Sequence, residues 1–132
     1  EVMARDFPHL DVLASLEGRD DPDLIQRLLP ETFAETPDII GIYSSAAGND
    51  GLLRHFAAHR QENRPIVVAH ELTELSRSAL SSGHFDAVIS QDAGHLVRSA
   101  VRIMRANSDR TPINLAQERI RIDVYLKENM PF

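Results

Sequence analysis

The stretch PIVVAHELTELS, Pro65 to Ser76, decides how the chain is read. Its His-Glu pair invites comparison with the zinc-protease helix H-E-x-x-H, which needs two histidines one turn apart on a single helix. Here Glu74 stands where the second histidine belongs. The preceding Pro-Ile-Val-Val-Ala is β-branched and apolar, the composition of a buried strand. Thr73 is a suitable N-cap for a helix that follows. His70 and Glu71 therefore belong to the carboxyl end of a strand, and the helix starts after them.

Working outward, the same strand-then-helix unit recurs. "DIIGIYSS" (Asp38–Ser45) precedes the helical "NDGLLRHFAAHRQEN", with Leu52, Leu53, Phe56 and Ala57 on one face. "FDAVIS" (Phe85–Ser90) precedes "QDAGHLVRSAVRIMRAN", with Asp92 as N-cap and a core stripe of Leu96, Val97, Ala100, Val101 and Met104. Gly83 sits just past the helix that Thr73 begins, the usual C-terminal place. Upstream, "LDVLASLEG" (Leu10–Gly18) reads as a further strand. Asp20 or Asp21 caps the next helix, with Pro22 in its first turn. Leu24/Leu28 and Ile25/Leu29 form that helix's buried side, and Pro30 is expected to kink or end it. At the far end, "RIRIDVYL" alternates Ile120, Ile122, Val124 and Leu126 with polar residues, predicting one buried and one wet face.

Strands and helices alternating every ~20–25 residues predict an α/β fold, a doubly wound parallel sheet with helices on both faces. The runs Ile39–Tyr43, Ile66–Ala69 and Ala87–Ile89 are apolar without alternation, as burial on both faces requires. The alternating last strand belongs at an edge. All 132 residues form one unit with no internal boundary stronger than a loop. The chain has no initiator Met, and "EVMARDFPHL" reads as the end of a helix under way, so a fragment is expected.

Composition narrows the functions. The net charge is −6 with acids and bases interspersed, so no basic nucleic-acid surface is present. The absence of cysteine excludes disulfides, thiol catalysis and thiolate metal sites, and fits a reducing compartment. No apolar run approaches the ~18 residues of a membrane span. There is no G-x-S-x-G elbow and no phosphate-binding glycine motif, and no enzyme site can be assembled. "AAGNDG" lacks a lysine, and Asp50 would repel phosphate. His55 and His59 are one turn apart but lack a third ligand, so they read as surface histidines and no metal or other cofactor is expected. Arg98, Arg102 and Arg105 read as a solvated helix face, or alternatively as an intersubunit salt-bridge surface.

In an open α/β sheet, ligands sit at the carboxyl ends of the strands. Three such ends, "YSSAAGND", "AHELT" and "SQDAG", place Ser44, Ser45, Asn49, His70, Glu71, Gln91 and Asp92 along one rim. Hydroxyls, amides and a carboxylate suit a polyol, whose adjacent hydroxyls they engage directionally. Asp92, Thr73 and Asn49 are explained by helix capping alone. Glu71 and Gln91 are not needed as caps. His95, in the first turn of its helix, could edge into the cleft.

Four stretches, "PDIIGIYSSAAGNDGLL", "PIVVAHELTELSRSAL", "FDAVISQDAGHLVRSAVRIM" and "QERIRIDVYLKENMPF", together resemble the C-terminal half of the effector-binding domain of lac-repressor-family transcription regulators. That domain shares the fold of type I periplasmic sugar-binding proteins. The resemblance implies that residues 1–132 are the C-terminal lobe of a domain holding a sugar-like effector between two lobes. It implies a cytoplasmic homodimer whose operator DNA is contacted by a helix-turn-helix outside this chain. The alternative setting is a periplasmic sugar-binding protein of a transporter. The family's aspartate falls on Glu71, its glutamine on Gln91, and His70 replaces a common aromatic. Its asparagine-aspartate pair falls on Ala46 and Ala47, a departure for which Ser44 or Ser45 substitutes. The implied ligand-binding set is Ser44, Ser45, His70, Glu71 and Gln91.

Overall fold

The computed structural model describes residues 2–45, 47–58 and 64–131. The elements are α1 (Val2–Asp6), α2 (Pro22–Glu35), β1 (Gly41–Ser44), α3 (Asn49–Ala58), β2 (Ile66–His70), α4 (Glu74–Ser81), β3 (Ala87–Gln91), α5 (Ala93–Asp109) and β4 (Ile122–Tyr125). The sheet order is β1-β2-β3-β4. β1, β2 and β3 run parallel, and β4 lies antiparallel at the edge beside β3. This is the expected α/β architecture with a mostly parallel open sheet.

The core lies on one face of the sheet. Val67, Ala69 and Val88 point down from it onto Leu29 of α2, Leu52 and Phe56 of α3, and Ala79 and Leu80 of α4, with Phe85 closing the end. Each large side chain fully buried this way contributes ~1.5–3 kcal/mol. The opposite face is more open than the unbroken apolar runs imply: Ile66, Tyr43, Ile122 and Val124 are exposed. β2 accordingly alternates, with Val67 and Ala69 buried and Ile66 outside. The apolar stripe of α5 is also not core. Leu96, Val97, Val101 and Met104 are exposed, and Ser99 is the helix's buried residue. α5 instead packs its other side on the chain that returns to β4. There Arg102 pairs bidentately with Glu118 at 2.7 and 2.8 Å, and the Ser99 hydroxyl donates to the Glu118 carbonyl at 3.4 Å.

Three further expectations are corrected. Leu10–Gly18 forms no strand; Val12, Leu13 and Leu16 are exposed, and β1 remains the sheet's edge. Apolar composition alone does not make a strand where no backbone ladder is joined. Pro30 does not end α2, which continues to Glu35. An interior proline costs ~3 kcal/mol. Burying Leu29 and packing Ile25 and Phe33 against the core outweighs that. In β4 the expected faces are reversed: Ile122 and Val124 face out while Tyr125 packs on the core. Tyr125 is in register with buried Val88, and the period of two then sends Val124 and Ile122 to the side of Ile89 and Gln91.

The caps match the sequence where polar side chains stand at helix starts. Asp21 accepts from the N–H groups of Asp23 and Leu24. Thr73 and Ser76 form a reciprocal capping box. Gly83 has φ +75°, which a side chain would strain. Arg64 clasps Asp86 at 2.7 and 2.8 Å, and the same carboxylate accepts from Val67 N–H at 2.8 Å. The guanidinium beside it, with that N–H, holds the Asp86 carboxyl below the usual carboxylate range. This clasp pins the entrances of β2 and β3, so their exits are fixed relative to one another.

Candidate functional site

The three parallel strands deliver their carboxyl ends to one rim, and hydrogen bonds connect it from β1 to β3. Asn49, at the start of α3, is buried. Its Oδ1 accepts from the Ser44 hydroxyl at 2.8 Å, and its Nδ2 donates to the His70 carbonyl. Asn49 is therefore a bridge between β1 and β2 rather than the cap that its sequence position implies. The His70 ring meets Tyr43 edge-on, with centroids 5.4 Å apart and an interplanar angle of 89°. The Tyr43 hydroxyl lies 2.6 Å from His70 Nε2.

Glu71 leaves β2 and reaches across to β3. Its Oε2 accepts from the Ser90 hydroxyl at 2.9 Å and from the Gln91 N–H at 3.3 Å. Its backbone carbonyl accepts from Ser76 Oγ at 2.6 Å, which ties the β2–α4 turn to the first turn of α4. Among the described residues, Glu71 Oε1 and the Gln91 side-chain amide carry no protein hydrogen bond, and both residues are exposed. The rim thus carries an exposed carboxylate and an exposed amide at adjacent strand ends, the donor–acceptor mixture that vicinal hydroxyls satisfy. Asp92 caps α5 by accepting from His95 N–H at 2.8 Å. That bond, with Arg98 nearby, lowers the Asp92 carboxyl below its ordinary range.

The predicted site residues fall into two linked groups. Ser44 and His70 belong to the β1–α3–β2 cluster, and Glu71 and Gln91 to the β2–β3 cluster. Ser45 is exposed just past β1 and makes no side-chain hydrogen bond among the described residues. Ala46 lies outside the described residues. The N–H of Ala47 donates to Asp20 at 2.9 Å, so the segment before α2 also reaches the rim.

His95 does not turn to the rim, since its Nε2 lies 3.0 Å from the Gln117 carbonyl. His55 is not a surface histidine. It is buried and stacks on Phe33, with centroids 5.6 Å apart and planes 2° apart. His59 lies outside the described residues, and among the described residues no group of histidines and acids could hold a metal ion. Arg98, Arg102 and Arg105 each meet an acid of their own chain: Asp92, Glu118 and Asp109.

Sequence reasoning missed Tyr43, Ser90 and Asp20. The first two were legible in principle. Tyr43 lies two residues diagonal to His70 on neighbouring parallel strands, and Ser90 precedes Gln91 at a strand end. Asp20 required the tertiary approach of a loop 27 residues away.

Solved structures with this fold include the glucose-galactose binding protein GanP of Geobacillus stearothermophilus. It is 15% identical with TM-score 0.82, and the match covers 97% of this chain and 46% of that one. A carbohydrate transporter solute binding protein of Agrobacterium radiobacter, in complex with D-arabinose, is 16% identical with TM-score 0.79, covering 97% and 43%. The arabinose binding protein AraP of Geobacillus stearothermophilus is 15% identical with TM-score 0.74, covering 96% and 47%. The chain therefore spans less than half the length of these proteins. No curated protein sequence matches significantly. The periplasmic binding protein domain family matches residues 1–110, and the chain belongs to that family.

Proposed function

We propose that this chain is one lobe of a two-lobed binding protein and that its strand-end rim takes a small hydroxyl-rich ligand, a sugar or sugar derivative. The observation that carries this is the exposed Glu71 carboxylate, whose Oε2 is held by the Ser90 hydroxyl and the Gln91 N–H while Oε1 carries no protein hydrogen bond among the described residues. Ser44, Ser45 and His70 complete the contact set on the β1 side, and Tyr43 adds an exposed aromatic ring. The named sugar receptors of the same fold support this ligand class. The protein binds rather than turns over its ligand.

Thermal-shift titration with D-glucose, D-galactose, D-arabinose, D-allose and D-tagatose tests the reading. At least one sugar should raise the midpoint, and Glu71→Ala should weaken its binding at least tenfold, since a charge-assisted hydrogen bond contributes ~1.5–3 kcal/mol. No response to any of these, or a response indifferent to Glu71, contradicts it. A Glu71-dependent chemical conversion of a sugar would establish an enzyme instead.

Two settings fit this lobe. The transporter proteins among the similar folds favour a solute receptor. The runs "DAVISQD" and "ENMP" favour the ligand-sensing half of a lac-repressor-family regulator, a cytoplasmic dimer contacting operator DNA through another domain. In that setting the ligand acts only through its difference in affinity between two lobe arrangements. The reading frame upstream of Glu1 separates them: a helix-turn-helix marks the regulator, a secretory signal the receptor.

A further inference from the structure

Residues 18–21 form a tight turn at the β1 end of the rim. The Asp21 N–H donates to the Gly18 carbonyl at 2.9 Å. Both central residues are left-handed, Arg19 at φ 50° and Asp20 at φ 57°. That is the φ pattern of a type I′ turn, which Gly, Asn and Asp ordinarily fill. Side chains held there are strained, and such strain persists only where the surroundings fix it. Here Ile25 of α2 lies against both Gly18 and Gly48, where an added β-carbon would come within 2.1 and 2.9 Å of it. The turn and the β1–α3 loop are thus wedged on one side chain, and Asp20 Oδ1 accepts from the Ala47 N–H at 2.9 Å. Helix capping does not explain Asp20, because Asp21 caps α2.

We propose that Asp20 is a positioning residue for the ligand surface: it fixes the chain leaving β1 and so presets Ser44, Ser45 and His70 for a hydroxyl-rich ligand. The inference rests on the sugar reading of the rim. Ala47 stands two residues after Ser45 and two before Asn49. The loop is therefore held twice. Asp20 holds it at Ala47, and the Asn49 side chain accepts from the Ser44 hydroxyl and donates to the His70 carbonyl. Ser45 is exposed and makes no side-chain hydrogen bond among the described residues, so its place depends on these two holds. If Ala47 is released, the loop must be ordered when the ligand arrives, and that ordering is subtracted from affinity. The choice of residue fits this role. Aspartate tolerates left-handed backbone better than most side chains and still carries an acceptor. Glycine would form the turn more easily and reach nothing.

Asp20→Gly and Asp20→Asn, titrated with D-glucose, D-galactose, D-arabinose, D-allose and D-tagatose beside the wild type, test it. Asp20→Gly favours the turn and removes the acceptor. The thermal midpoint of its free chain should hold or rise, while affinity for the sugar that the wild type binds should fall roughly tenfold. A turn that matters only for folding predicts no such split. Asp20→Asn should bind within about threefold of the wild type, since its amide oxygen still accepts from the Ala47 N–H and Asn tolerates left-handed backbone. In the free chain the Ala47 amide proton should move upfield and exchange faster in Asp20→Gly, and keep its wild-type behaviour in Asp20→Asn. Three results overturn the proposal and leave the sugar reading standing: a glycine variant that binds like the wild type, an asparagine variant as weak as the glycine one, or an Ala47 amide indifferent to the glycine change. A wild-type chain that binds none of the five sugars overturns both.

Discussion

Asn49→Ala is the most informative single change at the rim. The side chain makes two hydrogen bonds that join β1 to β2, and it is buried at the point where they diverge from α3. Two such bonds are worth ~0.5–1.5 kcal/mol each, and a partner left buried without one costs ~1–3 kcal/mol more. The Ser44 hydroxyl is half-buried and can turn to water, so the larger part of the penalty falls on the His70 carbonyl. The expected loss is about 2–4 kcal/mol, measured as a lower urea midpoint at constant slope. Asn49→Asp should cost more than Asn49→Ala. It keeps an acceptor for Ser44 but sets a carboxylate against the His70 carbonyl oxygen. Amide exchange at Glu71 should accelerate in both variants, because His70 is its immediate neighbour. A loss under ~0.5 kcal/mol for Asn49→Ala, or Asp tolerated better than Ala, would refute the bridging role.

Gly51→Ala should destabilise by ~1–3 kcal/mol, read as a thermal midpoint lowered by several degrees, because the added methyl runs into the Pro22 carbonyl and the Ile25 side chain where α3 crosses α2. Acid should loosen the α5–β4 connection. Arg102 and Ser99 hold the Glu118 carboxyl down to about 2, from an ordinary 4.5. Its contribution is therefore complete above the unfolded value and fades as pH falls from about 4.5 towards 2. Glu118→Gln should flatten that part of the stability–pH curve, and an unchanged curve would contradict the assignment.

Much of the fold is legible because it rests on local rules. Short β-branched runs, capping side chains at Asp21, Thr73 and Asp92, and Gly83 past α4 all carry their signals within a few residues. What the sequence does not carry is which side of an element finds a partner. The α5 stripe has the spacing of a core face, yet nothing in residues 93–109 tells a buried face apart from an exposed one. β4 shows the same limit, since its alternation is legible but the face is chosen by its register with Val88. Pro30 and Leu10–Gly18 erred in opposite directions. Packing carried a helix through a proline, and no ladder formed for a stretch with strand composition. At the rim, strand-end placement located Glu71 and Gln91, whereas the Asn49 bridge and the Ala47–Asp20 contact arise only when separate loops meet.

The account stands on the claim that the strand ends form one ligand surface. Amide chemical-shift mapping of the chain titrated with the five sugars tests this most directly. Perturbations gathered at Ser44, Ser45, His70, Glu71, Ser90 and Gln91, and lost in Glu71→Ala, are the predicted result. Shifts centred elsewhere, such as the Arg64–Asp86 end of the same strands, or none at saturating sugar, would contradict it.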